Sequence, residues 1–153
     1  MNILEWVINR FYAIGSDFFY KKFVKDTIKA GDINRAVLDE ILQDNSKTIY
    51  GLLYNFKGIR TSLDYKRIVP LTSYFDYESY IDEIAAGLEN VLTSDDVQYF
   101  GLSSGTTGKQ KRIPTTAKTR KIINMNMMFL QHGSLSKALP SARTGGKGLL
   151  LMN

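Results

Sequence analysis

The chain has 153 residues, of which 44% are apolar and 23% charged, a balance that fits one globular domain and argues against a disordered chain. It contains no cysteine and a single histidine, His132, which excludes disulfides and a cysteine nucleophile and argues against a histidine-built metal site in this segment. The net charge of +5 favours anionic ligands in general, and the absence of a membrane-length apolar run or a secretory signal predicts a cytoplasmic protein.

The first third of the chain has the apolar spacing of helices. A stripe over residues 3–14 predicts a first helix that is broken by Gly15, and a second helix is expected over residues 16–31. A third helix, with Asp32 as its N-cap, carries an apolar stripe over residues 33–42. Such stripes are typical of core packing, and the alternative is that they contribute to an acyl-substrate pocket in a larger body.

The middle of the chain has a mixed pattern without repeats or low-complexity tracts. Gly51 and Gly58 are predicted to form turns, and residues 67–71 a short extended segment at a proline. Either hydroxyl residue at positions 72–73 can cap a helix that runs to Gly87.

Strand patterns follow in the last third. Residues 97–102 have apolar side chains on both faces, which predicts a buried strand. Residues 111–114 are predicted to return as the second strand of a tight hairpin, and a long helical stretch follows from Thr116. After a break at Pro140, the apolar run over residues 148–152 predicts another strand, either added late to a small sheet or cut from a longer polypeptide.

The segment between the two hairpin strands is rich in residues that bind phosphate. Glycines let backbone N–H groups converge on an anion, hydroxyl side chains donate hydrogen bonds, and basic side chains compensate the charge of phosphate oxygens. Glycine and serine also dominate ordinary hairpin turns, so that alternative stays open. The candidate residues are Ser103, Ser104, Gly105, Thr106, Thr107, Gly108, Lys109 and Lys111.

Two common phosphate motifs do not fit this loop. A Walker A loop would need a glycine in place of Ser103 and a Ser or Thr in place of Gln110. The glycine spacing of the dinucleotide fingerprint is also absent.

The run Ser-Ser-Gly-Thr-Thr-Gly-x-x-Lys over residues 103–111 resembles the phosphate-binding signature of the adenylate-forming superfamily, which includes the acyl-CoA ligases. The chain then reads Ile-Pro-Thr-Thr at 113–116, where acyl-CoA ligases more often continue Gly-Val. This flank, together with residues 43–50 and 68–87, resembles the auxin-responsive promoter family of acyl acid–amido synthetases. The resemblance covers about residues 32–116.

The resemblance implies a ligase that uses ATP and Mg²⁺ to turn a carboxylic acid into an acyl-adenylate, which an amine such as an amino acid then attacks. It implies that the loop from Ser103 to Thr107 binds the β- and γ-phosphates and that Lys111, the lysine of the signature, helps to hold them. It points to no catalytic residue within this chain.

The implied fold class is α/β: a helical N-terminal region followed by the start of the β-sheet of an adenylate-forming large domain, incomplete here. Residues 1–60 would be the helical region and residues 61–153 the start of the sheet, with the phosphate-binding loop at 102–114. The adenine, ribose and acceptor sites would lie in the rest of the same polypeptide, and this segment alone would be inactive.

Three alternatives stay open. The chain is a truncated, non-catalytic remnant if its reading frame ends at Asn153 instead of continuing through a second nucleotide motif. The protein is an acyl-CoA or acyl-protein ligase of the same superfamily if its acceptor is not an amine. A nucleic-acid-binding module would use a basic run, although such runs are usually solvated helix faces. That run comprises Lys109, Lys111, Arg112, Lys118, Arg120 and Lys121.

Overall fold

The computed structural model describes residues 3–103 and 110–139, which are mostly helical and contain one two-stranded antiparallel sheet. The helices are, in chain order, α1 (Ile3–Thr27), α2 (Ala30–Asp44), α3 (Ile49–Leu53), α4 (Ser62–Ile68), α5 (Glu78–Ala85), α6 (Ala117–Met125) and α7 (His132–Ala138). Single 3₁₀ turns span Phe56–Gly58 and Tyr74–Tyr77, a π-helical segment spans Asn126–Gln131, and the strands are β1 (Val97–Leu102) and β2 (Arg112–Thr116).

The predicted order of a helical opening followed by the first strands of a sheet is therefore confirmed. The predicted strand at 148–152 lies outside the described residues. Within the ranges that the structure describes, no helix combines the length and the apolar character that a membrane span requires. The chain divides into two compact units, one formed by Met1–Lys29 with Ile122–Asn153 and the other by Ala30–Lys121.

In the first unit, α1 continues through Gly15, so the predicted break at this residue is wrong. Gly15 instead gives room to Phe129, because a Cβ at this position would lie 2.9 Å from a ring carbon. Gly133 of α7 lies closer still to α1, where its Cβ would be 2.4 Å from the backbone oxygen of Ser16. Both glycines thus allow α1 to pack closely against the helical segments that contain Phe129 and Gly133.

His132 belongs to the same packing. Its Nδ1 lies 2.9 Å from Oγ of the buried Ser16, and its ring centroid lies 4.5 Å from that of Tyr12. These contacts pack the side chain of His132, the first residue of α7, against α1.

The second unit holds the main hydrophobic core. α2 begins at Ala30, so the predicted N-cap Asp32 lies inside its first turn, where a carboxylate still suits the helix dipole. The core cluster consists of buried Leu42, Tyr50, Phe56, Ile59 and Val69, with Leu38, Tyr54, Tyr65, Tyr77, Tyr80 and Leu92 packed around it.

A chain of hydroxyl groups leads from this core to the surface. The hydroxyl oxygens of Tyr50 and Tyr77 lie 3.2 Å apart, and Oγ1 of Thr72 donates to the Tyr77 hydroxyl at 2.7 Å. Burial, together with the bond to Tyr77, raises the pKa of Tyr50 well above its usual range, so this hydroxyl stays protonated.

Gly51 lies within α3, so the predicted turn at this residue is wrong. The buried Thr48 caps α3, because its Oγ1 accepts a hydrogen bond of 2.9 Å from the Gly51 amide. A Cβ at Gly51 would lie 2.0 Å from the carbonyl oxygen of Asn45. The helix therefore starts against backbone that leaves no space for a side chain.

The predicted extended segment at 67–71 is wrong in its first half, because α4 runs to Ile68. Thr61 and Asp64 form a capping box that starts α4: the Asp64 amide donates to Thr61 Oγ1 at 3.1 Å, and the Thr61 amide donates to Asp64 Oδ2 at 2.9 Å. Backbone in the extended region begins only at Val69, before the proline.

Ser73 is the cap of the next helical segment, as one of the two predicted candidates. It starts the 3₁₀ turn Tyr74–Tyr77, which leads directly into α5. The segment ends at Gly87, whose φ of 94° lies in the left-handed region that glycine tolerates.

β1 and β2 form the predicted antiparallel hairpin, with Gly101 opposite Ile113 and Leu102 opposite Arg112. The predicted burial of β1 is wrong, since Tyr99 and Leu102 are 47% and 63% exposed in the described structure. A two-stranded sheet without further described strands leaves both faces partly open. α6 follows β2 immediately, as the helical pattern from position 116 predicts.

Candidate functional site

The end of the hairpin brings together the two outermost residues of the predicted phosphate-binding loop. The Ser103 amide donates to the Lys111 carbonyl oxygen at 3.0 Å, and the Lys111 amide donates to Oγ of Ser103 at 3.1 Å. These bonds continue the ladder one step beyond the last strand pair, so the base of the loop is closed. The other predicted residues, Ser104, Gly105, Thr106, Thr107, Gly108 and Lys109, lie outside the described residues.

Tyr74 is attached to this base at two points. Its hydroxyl oxygen accepts a hydrogen bond of 3.0 Å from the Arg112 amide, and its ring centroid lies 5.5 Å from Nζ of Lys111. The second distance lies within the range of a cation–π contact. An aromatic ring thus supports the lysine of the predicted signature.

The turn that carries Tyr74 is itself fixed by a capping box. The Ser73 amide and hydroxyl both donate to Oδ2 of Asp76, at 2.6 and 2.9 Å. These bonds, the backbone one foremost, hold the pKa of Asp76 below its usual value. The carboxylate therefore stays ionised and keeps the turn closed at neutral pH.

Asp82 of α5 provides another attachment for the hairpin. Its carboxylate pairs with the guanidinium of Arg112, the first residue of β2. Both side chains are partly exposed, so the pair contributes little to stability. The pair does, however, link α5 to the first residue of β2.

Sequence reasoning missed these supporting roles. Tyr74 was notable only through a family resemblance, and the acidic pair Asp82-Glu83 has the pattern of solvent-facing acids. The Ser-x-x-Asp spacing at 73–76 is a signal of the fixed turn. No sequence signal indicates that this turn contacts a hairpin 38 residues away.

The basic run is partly neutralised within the protein. Nζ of Lys118 lies 2.6 Å from Glu40 Oε1 and 2.9 Å from Asp44 Oδ2, and these bonds raise the pKa of the lysine. Arg112 is likewise paired with a carboxylate. Both cations are therefore less available to nucleic-acid phosphate than the sequence suggests.

Over the described ranges 3–103 and 110–139, no three side chains of the histidine, aspartate or glutamate type gather into a metal-binding group.

The sequence of the chain is similar to a family model and to several curated proteins. The model of the GH3 family N-terminal domain matches residues 19–153. The jasmonoyl–L-amino acid synthetase JAR4 of Nicotiana attenuata is 33% identical over 113 residues, which cover 72% of this chain and 20% of that protein. The probable indole-3-acetic acid-amido synthetase GH3.7 of Oryza sativa subsp. japonica is 40% identical over 102 residues, covering 60% of this chain and 16% of that protein.

A solved structure is similar as well. The AtGH3.15 acyl acid amido synthetase in complex with 2,4-DB superposes with a TM-score of 0.62 at 31% identity, covering 70% of this chain and 19% of that one. The chain therefore spans about a fifth of the length of the relatives that it matches.

Proposed function

This chain belongs to the GH3 family, and on that premise we propose that the protein activates a carboxylic acid with ATP and transfers the acyl group to an amine. The activated intermediate is an acyl-adenylate, and the amine is an amino acid or a related compound. The names of the relatives support the reaction class, since they are synthetases that join jasmonate or indole-3-acetate to amino compounds.

The loop between β1 and β2 is proposed to bind the outer phosphates of ATP. The observation that carries this proposal is the closed base, where the Ser103 hydroxyl and the Lys111 backbone are hydrogen-bonded. A serine and a lysine are therefore paired through backbone bonds at the two ends of a glycine-rich segment, and hydroxyl and ammonium groups are donors suited to phosphate oxygens. The proposed phosphate-binding residues are Ser103, Ser104, Gly105, Thr106, Thr107, Gly108, Lys109 and Lys111.

Mg²⁺ fits this proposal as an ion carried by the nucleotide. Magnesium commonly keeps several waters and binds through substrate phosphates, so it does not need a protein carboxylate cage. It would neutralise phosphate charge, while Lys111 and the hydroxyl groups of the loop orient the phosphates.

We also propose that residues 1–153 are the N-terminal part of a large adenylating domain. The adenine, ribose and acceptor sites would then lie in other residues of the whole protein, and this segment alone would be inactive. The cytoplasmic location inferred from the sequence stays a prediction.

The test is ATP–pyrophosphate exchange by the polypeptide of the complete reading frame, screened over carboxylic acids and followed by a screen of amines. Lys111→Ala is expected to lower acid-dependent exchange by about 100-fold, because it removes one charged donor from the developing phosphate charge. Lys66→Ala, which removes an exposed lysine of α4, is the matched control and should leave exchange unchanged.

Unchanged exchange in both Lys111→Ala and Thr106→Ala would overturn the assignment of the loop. Consumption of coenzyme A in place of an amine would instead keep the adenylation step and replace the amide product with a thioester.

A further inference from the structure

Two lysines of the basic run have different surroundings. Lys118 is paired with two carboxylates, which compensate its charge. Lys111, half-buried at the base of the loop, has the face of Tyr74 as its neighbour, and among the described residues no carboxylate forms an ion pair with it. An aromatic ring attracts an ammonium group through its quadrupole and carries no net charge, so the full positive charge of Lys111 remains available to an anion.

The ring can hold Lys111 in place because it is itself held. Tyr74 is the first residue of a turn closed by Ser73 and Asp76. Its hydroxyl accepts a hydrogen bond from the Arg112 amide, so the ring is bonded to the backbone of the residue that follows Lys111. The pair of Arg112 with Asp82 adds a connection from the same hairpin to α5.

A lysine side chain is flexible, and binding an anion normally requires that it become ordered. Contact with a fixed ring restricts the ammonium group before any ligand arrives. Lower ordering cost appears as tighter nucleotide binding, whereas the chemical step that follows is little affected.

We propose that Tyr74 is a positioning residue that holds Lys111 ready for the outer phosphates of ATP. The inference rests on the proposed function, because it assigns a support to the lysine of the proposed phosphate loop. Tyr74 acts through Lys111 and does not itself contact the nucleotide.

The contact can be measured in the 153-residue chain without nucleotide. A ring above Lys111 shifts the NMR signals of its side-chain methylene protons upfield, and Tyr74→Leu should abolish that shift. Tyr74→Phe keeps the ring and removes only the hydroxyl, so the shift should persist. Absence of the upfield shift in the unchanged chain would overturn the proposal, whatever the enzyme does.

The consequence for nucleotide binding is measured in the polypeptide of the complete reading frame by ATP–pyrophosphate exchange. Tyr74→Leu should raise KM for ATP about threefold to fivefold and change kcat by less than about twofold, in line with the strength of a partly exposed cation–π contact. Tyr74→Phe keeps the ring but loses the bond to the Arg112 amide, so its KM for ATP should lie between that of the unchanged enzyme and that of Tyr74→Leu. Tyr99→Leu removes an exposed tyrosine from the same hairpin and serves as the matched control.

A double variant separates positioning from general stability. In the Lys111→Ala background, Tyr74→Leu should cause no further rise in KM, because the group that it positions is gone. Multiplication of the two effects would overturn the proposal and indicate that Tyr74 only stabilises the fold. A Lys111→Ala variant with unchanged KM and kcat would contradict the proposed function of the loop, while the NMR shift would still report on the contact itself.

Discussion

Gly51 lies in α3 with its backbone directly against the carbonyl group of Asn45. The same carbonyl accepts hydrogen bonds from the amide and the hydroxyl of Thr48, at 3.1 and 2.8 Å. Since Thr48 in turn caps the Gly51 amide, the carbonyl cannot move without breaking the start of the helix. Gly51 is therefore required by its surroundings, although alanine has the higher helix propensity.

Gly51→Ala should lower the free energy of unfolding by about 2 kcal/mol, because the added Cβ would lie 2.0 Å from backbone that is hydrogen-bonded in place. Gly31→Ala in α2 is the matched control. A Cβ there meets nothing within 4 Å, so the substitution should stabilise the chain by up to about 1 kcal/mol through helix propensity. Urea denaturation of both variants measures the difference. Two variants of equal stability would show that the Asn45 carbonyl can move.

At this scale a run of consecutive residues is easier to recognise in the sequence than the space around a residue. The run between Ser103 and Lys111, predicted to bind phosphate, can be recognised because its members are consecutive. The glycines at 15 and 51 look like breaks, because the sequence does not show which distant atoms approach them. The contacts of Tyr74 are not predictable for the same reason, since its partners are far along the chain.

Two carboxylates at the ends of helical segments make stability depend on pH. Hydrogen bonds from Thr61 hold the pKa of Asp64 below its ordinary value of 3.8, and those from Ser73 do the same for Asp76. A lowered pKa in the folded state means that the ionised form is favoured by folding. The stabilisation is therefore complete above the ordinary pKa and is lost as the pH falls through the lowered folded-state value.

We expect the free energy of unfolding to decline as the pH is lowered from about 5 towards 2, and Asp64→Asn and Asp76→Asn each to make that decline shallower. Asp96→Asn, which removes an exposed carboxylate from the loop before β1, is the control. Urea denaturation across this pH range provides the measurement. A slope as steep in the capping variants as in the parent chain would mean that these carboxylates are not bonded as described.

Sequence signals predict a helix end or a hairpin correctly where neighbouring residues alone specify it. The Ser73 cap and the hairpin were predictable, because a cap and a pair of strands are specified by neighbouring residues. The capping box at Thr61 is equally local, yet the proline at 70 suggests extended backbone two residues too early. The π-helical segment had no sequence signal, and its Phe129 packs against Gly15 of α1.

The core cluster lies entirely within the unit Ala30–Lys121. A segment with its own hydrophobic core is expected to fold without the rest of the chain.

Residues 30–121 expressed alone should unfold cooperatively and keep a near-UV circular dichroism signal, because the tyrosines around Tyr50 pack within this unit. Tyr50→Ala in the same segment should abolish both properties by opening a cavity in the core. A segment with a flat near-UV spectrum and no cooperative transition would contradict the prediction.

At the scale of the whole molecule, the family was predictable and its substrate was not. The signature at 103–111 and its flanks are contiguous, and the match to the GH3 family confirms the resemblance that they carry. The acid of the proposed reaction would be selected by the shape of a pocket, and no consecutive residues of this chain specify such a shape. About four-fifths of the length of the relatives has no counterpart in the chain.

The bonds between Ser103 and Lys111 also have an entropic consequence. Bringing the ends of a flexible segment together reduces its conformational entropy by an amount that grows with the logarithm of its length. In the hairpin this loss of conformational entropy occurs when the strands pair, before any ligand binds. A phosphate group bound by the loop would then not have to bring the ends of the loop together. In this way the two strands would strengthen the affinity for a ligand that neither of them touches.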